Sequence, residues 1–144
     1  MGRRPKSQEE IDAFKSKILH TTLQLISKDG YEGFSIRKLG PILGIAPKTV
    51  YNYFKSKDEI YLHILTEGFE HLFQNLSSST QSLNKPFEQL QALARAYVRF
   101  GFDYPNYYDL MFTWHVPKFN DFVGTDLEQL AYKELETARK SFNL

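Results

Sequence analysis

A short stretch around residue 50 carries cationic, hydroxyl and amide side chains and no carboxylate. The six side chains expected to face outwards there are Lys48, Thr49, Tyr51, Asn52, Tyr53 and Lys55. Phosphate oxygens and the edges of nucleic-acid bases are bound by side chains of these types. The stretch therefore indicates contact with nucleic acid, although an ordinary helical hairpin with a solvated basic face would carry the same residues.

The charge of the chain is divided unevenly along its length. Residues 1–57 hold eleven Lys or Arg against five Asp or Glu, whereas residues 58–144 hold seven against twelve. The formal net charge of +1 thus conceals a net charge of +6 followed by one of −5. Clustered cations favour a polyanion because binding releases its counterions. This asymmetry favours a nucleic-acid partner over the solvated hairpin.

Residues 35–57 are predicted to form two short helices joined by a tight turn. The first helix is predicted from its N-cap and from the helical spacing of its apolar residues. It should begin at Ser35, a favourable N-cap, and end at Leu43. Gly44 follows it. A left-handed residue at the end of a helix produces a sharp turn, and glycine adopts that conformation without a Cβ penalty.

The second helix of the pair should begin at Pro47. Proline suits a first helical turn because its φ is already fixed and its missing N–H would have no partner there. Val50 and Phe54 follow at a spacing of four residues, which predicts the buried side of this helix. The polar side chains named above would then face outwards.

The ordered series from Gly44 to Lys57, followed by Asp58, Glu59 and Ile60, resembles the DNA-binding signature of the TetR family of transcriptional regulators. The resemblance covers about residues 11–66, including Gly30, Tyr31, Gly33 and Phe34 upstream of the motif. It implies a three-helix DNA-binding domain containing a helix-turn-helix, which is the fold expected for the two helices described above.

The resemblance also implies which residues meet DNA. Thr49, Tyr51 and Lys57 match positions that touch the DNA backbone. Pro47 and Lys48 match positions near base edges, and Arg37 matches one that reaches DNA from the preceding helix. The candidate DNA-binding residues are Arg37, Pro47, Lys48, Thr49, Tyr51, Asn52, Tyr53 and Lys57.

Two features depart from the family pattern. Ala46 stands where a Ser or Thr usually caps the recognition helix. Gly40 and Pro41 interrupt the first helix of the motif, and the proline removes one backbone hydrogen bond. We expect that helix to be bent or shortened.

The rest of the chain is also predicted to be helical, which makes the fold all-α. Ser7 and Glu10 form a capping-box pattern that opens a helix ending near Gly30, behind a basic arm at residues 1–6. Ser56 and Glu59 form a second such pattern. It opens a linker helix that would run to about residue 76, where the polar stretch 77–82 should close it.

The next helix should start at residues 84–86, and a final one should run from Asp121 to the end. The predicted inner stripe of the former is Phe87, Leu90, Leu93, Ala94, Tyr97, Val98 and Gly101. In the final helix Leu127, Leu130, Ala131, Leu135, Ala138 and Phe142 would face inwards, with Glu128, Lys133, Glu134 and Arg139 outside. We divide the chain into a basic DNA-binding domain at 1–55 and an acidic, aromatic-rich regulatory domain at 56–144.

Ten aromatic rings lie between Tyr97 and Phe122, more than one helix face needs. They could form an aromatic core between small helices, or the wall of a ligand pocket with a few polar groups such as Asn106. Pro105 and Pro117 would bracket a short helix there. In TetR-like proteins this region encloses a small effector. The candidate ligand-binding residues are Phe69, Phe73, Tyr97, Phe100, Tyr104, Met111, Trp114 and His115.

Several classes of function find no support in the sequence. The chain has no cysteine, and its four histidines lack the company of a metal site, so neither metal nor cofactor is predicted. No phosphate loop or nucleophile motif indicates an enzyme. No apolar run is long enough to span a membrane and no signal peptide opens the chain, so we expect a cytoplasmic protein.

The resemblance implies a homodimer that binds a palindromic operator in double-stranded DNA. A repressor released by a small, largely apolar or aromatic effector is the expected function. The alternative is a helical ligand-binding or protein-interaction module without specific DNA binding, and an enzyme using the aromatic pocket is a third class. TetR-like proteins usually continue with two further long helices for dimerisation, so we expect this sequence to be incomplete there.

Overall fold

The computed structural model describes residues 2–112 and 116–142, and every regular element in those ranges is helical. Seven α-helices are present there, with 3-10 turns at Ile36–Lys38 and Phe119–Phe122. The α-helices are α1 (Gln8–Gly33), α2 (Leu39–Leu43), α3 (Pro47–Tyr51), α4 (Lys57–Thr80), α5 (Pro86–Asp103), α6 (Pro105–Phe112) and α7 (Glu128–Phe142). The predicted all-α fold is confirmed. None of the described helices is long and apolar enough to span a membrane.

Helix α1 begins with the predicted capping box. The Ser7 hydroxyl accepts a hydrogen bond from the Glu10 backbone N–H (3.2 Å), and the Glu10 carboxylate accepts one from the Ser7 N–H (2.8 Å). The regular helix is interrupted at Gly30, whose φ of 75° and ψ of 166° are not helical. The chain then makes one more turn and buries Phe34 as it enters the helix-turn-helix.

The first helix of the motif is divided, as predicted from Gly40 and Pro41. A 3-10 turn at Ile36–Lys38 leads into α2, which has only five residues. Pro41 has no N–H to donate to the carbonyl of Arg37, so a continuous α-helix would lose a hydrogen bond there. Ser35 occupies the N-cap position as predicted, but its side chain makes no capping hydrogen bond.

The linker helix α4 lies at the centre of the molecule and packs against α1, α5, α6 and α7. The main buried cluster includes residues from both sides of the predicted boundary between residues 55 and 56, so the division into two domains stays a prediction. Members of this cluster are Ile18, Leu23, Phe34, Leu39, Val50, Ile60, Ile64, Leu110, Phe122 and Ala131. A second, smaller cluster buries Leu72, Leu76 and Phe100 between α4 and α5.

Helix α4 continues through the polar stretch that was predicted to close it. Ser79 donates its hydroxyl to the Leu76 carbonyl (2.7 Å), and Thr80 donates to the Ser77 carbonyl (3.2 Å). Because these hydroxyls bond back to the preceding turn, they remain compatible with a helix, and the predicted end near residue 76 was wrong. At the start of α4 the Ser56 hydroxyl caps the Glu59 N–H, but the Glu59 carboxylate accepts from the Lys55 N–H instead of completing a box.

The predicted inner stripe of α5 was only partly right. Phe87 is 70% exposed, and Leu90 and Val98 are also exposed. The side that packs against α4 and α6 carries Leu93 and Tyr97, as predicted, together with Ala96 and Phe100. Helix α5 is apolar on more than one side, so helical spacing alone does not determine which side is buried.

The last helix starts later than predicted. The chain from Asp121 first completes the 3-10 turn, passes Gly124 with a φ of 80°, and enters α7 only at Glu128. Leu127 and Ala131 are buried as predicted, whereas Leu135 is exposed and Glu134 is buried, both contrary to prediction. Helix α7 packs along α4, and this packing decides which of its sides is covered.

Candidate nucleic-acid interface and ligand sites

The turn between α2 and α3 has the conformation that the sequence predicts. Gly44 is left-handed, with φ 65° and ψ 34°. Gly40 allows the two helices to approach closely, because a Cβ at that position would lie 2.8 Å from the Ile45 carbonyl oxygen. The same pair of residues forms a backbone hydrogen bond, from the Ile45 N–H to the Gly40 carbonyl (3.1 Å).

Helix α3 is held in place by its buried side. Val50 has no exposed surface and Phe54, just beyond the helix, is also buried, as predicted. Ala46 provides no side-chain cap, and the Thr49 N–H donates to the Ala46 carbonyl (2.9 Å). A missing cap costs about 1 kcal/mol, so the orientation of α3 depends on its packing more than on its own helical stability.

Five of the predicted DNA-binding residues share one exposed surface region at α3 and the preceding 3-10 turn. Pro47, Lys48 and Asn52 are exposed, Tyr51 is 53% exposed, and Arg37 is exposed on the 3-10 turn. Thr49 is half-buried beside them. These side chains offer cationic, phenolic and amide groups to a partner, which are the groups that bind phosphates and base edges.

Tyr53 is turned towards α1 instead of the solvent. Its ring lies 5.1 Å from that of Phe14, and its hydroxyl accepts a hydrogen bond from the Lys6 ammonium (3.3 Å). Lys6 also lies 4.6 Å from the centre of the Phe14 ring. Tyr53 therefore connects the basic arm and α1 to the helix-turn-helix, and its predicted contact with DNA stays a prediction.

Lys57 is likewise turned inwards. Its ammonium lies 4.4 Å from the centre of the Tyr31 ring and donates to the Tyr31 carbonyl at 3.3 Å. The Phe34 carbonyl is a further acceptor at 3.5 Å. This position connects the first turn of α4 to the end of α1. The predicted contact of Lys57 with the DNA backbone stays a prediction.

The aromatic residues predicted to line one ligand site mostly pack against each other. The rings of Phe100 and Tyr104 are 5.4 Å apart, and Tyr97 lies 6.0 Å from Phe112. Met111 packs so closely on α4 that a Cβ at Gly68 would lie 2.6 Å from its sulfur. Asn106 accepts a hydrogen bond from the Ser27 hydroxyl on α1 (2.9 Å).

The remaining predicted ligand residues are distributed over different places. Phe100 borders a polar groove of about 450 Å³ between α4 and α5, and Phe69 borders an apolar cavity of about 190 Å³ between α4 and α7. Phe73 is partly exposed. Trp114 and His115 lie outside the described residues. The described members of the predicted set therefore do not line one common cavity.

Glu134, which borders the apolar cavity together with Phe69, was not among the predicted site residues. Glu134 was predicted to face outwards, but it is only 5% exposed. Its spacing could have shown this, because it lies seven residues after Leu127 and three after Ala131, both of which are buried. Burial raises the pKa of Glu134 to about 8. The charge of Glu70 also raises this pKa, whereas Lys133 opposes both effects.

These observations define an all-α helix-turn-helix protein with a second helical part, and known proteins agree with that class. Residues 18–64 match the model of the family described as "Bacterial regulatory proteins, tetR family". The sequence resemblance to this family is therefore confirmed over these residues.

Two curated relatives with similar sequences are named as transcriptional repressors. The repressor NicS of Pseudomonas putida is 23% identical over 96 residues, which cover 67% of this chain and 43% of NicS. The repressor KstR of Rhodococcus jostii is 31% identical over 81 residues, covering 55% of this chain and 36% of KstR. The chain thus spans less than half the length of these relatives.

Solved structures share the fold. A TetR family transcription regulator from Marinobacter aquaeolei matches with a TM-score of 0.71 at 16% identity, over 95% of this chain and 69% of the other. The ketosteroid transcriptional regulator KstR2 of Mycobacterium tuberculosis matches with a TM-score of 0.66 at 17% identity, over 88% of this chain and 63% of the other. At these identities the likeness concerns the fold alone.

Proposed function

We propose that this chain binds a specific operator in double-stranded DNA and represses transcription. The observation that carries the proposal is the exposure of Lys48, Tyr51 and Asn52 on a helix anchored by buried Val50. Arg37 lies on the same exposed region of the motif, and residues 1–57 have a net charge of +6. Relatives named as repressors support the same function.

The binding mode follows from the motif. Helix α3 would enter the major groove while α2 crosses the backbone, as in other helix-turn-helix proteins. A homodimer would place two copies of α3 on one face of a palindromic operator, with half-sites about 34 Å apart or a multiple of this distance. Such a regulator acts where the DNA is, in the cytoplasm.

Helix α4 provides a route by which an effector could release the DNA. It begins directly after the helix-turn-helix and packs against α1, α5, α6 and α7. A small, largely apolar effector that prefers a different tilt of α4 would change the spacing of the two α3 helices. The effector shifts this equilibrium only by the difference between its affinities for the two conformers.

The test is selection of bound sites from duplex DNA of random sequence, repeated at several salt concentrations. We expect enrichment of a palindrome and an affinity that falls steeply as the salt concentration rises. The double variant K48A/Y51A should lose the enriched site, whereas K140A, which removes an exposed lysine from α7, should retain it. Weak binding without an enriched sequence would favour the alternative, a helical module without specific DNA binding.

A further inference from the structure

The cavity between α4 and α7 has an unusual lining. It measures about 190 Å³ and is enclosed by α4, the 3-10 turn at Phe119–Phe122 and α7. All of its lining residues except Glu134 are apolar, among them Leu62, Leu65, Phe122 and Ala131. Leu135, which is 48% exposed, also borders the cavity and leaves a path to solvent. The site is therefore an apolar pocket with a single ionisable group.

Glu134 has no hydrogen-bond partner for either carboxylate oxygen among the described residues, although it is 95% buried. An ionised carboxylate has about four acceptor sites, and burying it without partners is strongly unfavourable. The nearby groups that act on its charge are Glu70 on α4, which repels it, and Lys133 beside it on α7, which attracts it. The Tyr61 hydroxyl, also on α4, donates to the Pro117 carbonyl instead (3.2 Å).

We propose that this pocket binds a small apolar amine in its protonated form, with the ammonium against Glu134 and the apolar body against α4 and α7. An ammonium supplies the opposite charge and up to three hydrogen-bond donors to the ionised carboxylate, and the proton that Glu134 carries in the free chain passes to solvent on binding. An alcohol supplies one donor and no charge, and a carboxylate ligand supplies neither. The ion pair would include the Glu134 carboxylate, which is 95% buried, and a charged hydrogen bond contributes more in such surroundings than in water.

The size of the cavity restricts the ligand further. Drug-sized ligands occupy pockets of about 300–1,000 Å³. A cavity of about 190 Å³ fits a compound with one ring or a short alkyl chain.

The amine is also the effector we infer for the proposed repressor, and only this regulatory role rests on the proposed function. Binding at Glu134 does not require DNA, so the two can be tested separately.

The experiment is a calorimetric titration of the intact chain with three probes of similar shape, without DNA. The probes are benzylamine, benzyl alcohol and benzoate. We expect saturable binding of benzylamine, at least about tenfold weaker binding of benzyl alcohol, and none of benzoate. In the variant E134Q the affinity for benzylamine should fall at least about tenfold, and the preference over benzyl alcohol should disappear.

Two further variants make the result decisive. E136Q removes an exposed carboxylate from the same helix and should leave the affinity within about twofold. A138L retains Glu134 but fills part of the cavity, and it should abolish binding. Circular dichroism establishes that each variant is folded. The proposal would be overturned if benzylamine failed to bind at millimolar concentrations, or bound E134Q or A138L as tightly as the wild type.

A second titration concerns regulation. Benzylamine is added to the complex with the selected operator, and we expect release of DNA from the wild type but not from E134Q. If the selection recovers no operator while benzylamine binds through Glu134, the ligand site stands and the repressor function fails. If an operator is recovered and benzylamine does not bind, the repressor function stands and the ligand site fails.

Discussion

The Lys57 ammonium lies 4.4 Å from the centre of the Tyr31 ring and donates to the Tyr31 carbonyl. The two residues belong to α4 and α1, so this pair joins the linker helix to the helix that supports the DNA-binding motif. It is one of several contacts that join these two helices.

We expect K57M to lower the free energy of unfolding by about 1 kcal/mol, because it removes the cation from the buried Tyr31 ring and leaves the stem in place. K55M changes an exposed lysine nearby and should have little effect. Urea denaturation followed by circular dichroism measures both. Equal stability of K57M and the wild type would show that the cation is not a stabilising element.

The second prediction concerns Lys48, which is exposed on α3. K48A should weaken operator binding, and the slope of log K against log salt should become shallower by about one if this lysine contacts a phosphate. If Lys48 reads a base edge instead, discrimination at one operator position should fall by about 1–3 kcal/mol. Fluorescence anisotropy with matched and substituted operators separates the two results. An unchanged affinity would remove Lys48 from the interface.

The third prediction tests the close approach at Gly40. A Cβ there would meet the Ile45 carbonyl oxygen at 2.8 Å, so G40A should destabilise the domain by about 1–3 kcal/mol. G44A should cost about 1–2 kcal/mol for a different reason, since its residue is left-handed. G2A meets no neighbouring atom and serves as the control. Thermal unfolding of the three variants gives the order of their stabilities. A G40A variant as stable as the wild type would contradict the packing of the turn.

The fourth prediction concerns the dependence of stability on pH. The pKa of Glu134 is about 8 in the folded chain, above the ordinary value of 4.5. Between these values the unfolded chain ionises the group while the folded chain keeps it protonated, so stability falls as pH rises from about 4.5 to 8. The contribution of Glu134 to this fall is at most about 1.4 kcal/mol per pH unit.

E134Q should remove this part of the fall, because its amide does not titrate, and E136Q should retain it. Denaturation at a series of pH values measures the slope in each variant. A slope in E134Q equal to that of the wild type would show that Glu134 does not titrate in this range.

Local signals in the sequence predicted much of the fold. The capping box at Ser7 and Glu10, the left-handed Gly44 and the first-turn Pro47 each depend on backbone geometry within a few residues. Such features act over one turn of chain, and the amino-acid types alone determine them. The division of the first motif helix at Pro41 followed for the same reason, since the lost hydrogen bond is local.

Packing between distant segments decided what those signals could not. The sequence did not predict that the Lys57 ammonium lies against Tyr31, which is 26 residues earlier in the chain. Similarly, α5 offered more than one apolar side, and only its contacts with α4 and α6 selected the buried one.

The sequence by itself determined an all-α chain with a basic helix-turn-helix, because helix periodicity, caps and turn residues are local properties. Only the tertiary structure decided that a cavity lies beside Glu134 and that its carboxylate has no hydrogen-bond partner among the described residues. The physical reason is that burial depends on which surfaces meet, here those of α4 and α7, and that meeting is set by the packing of the whole chain.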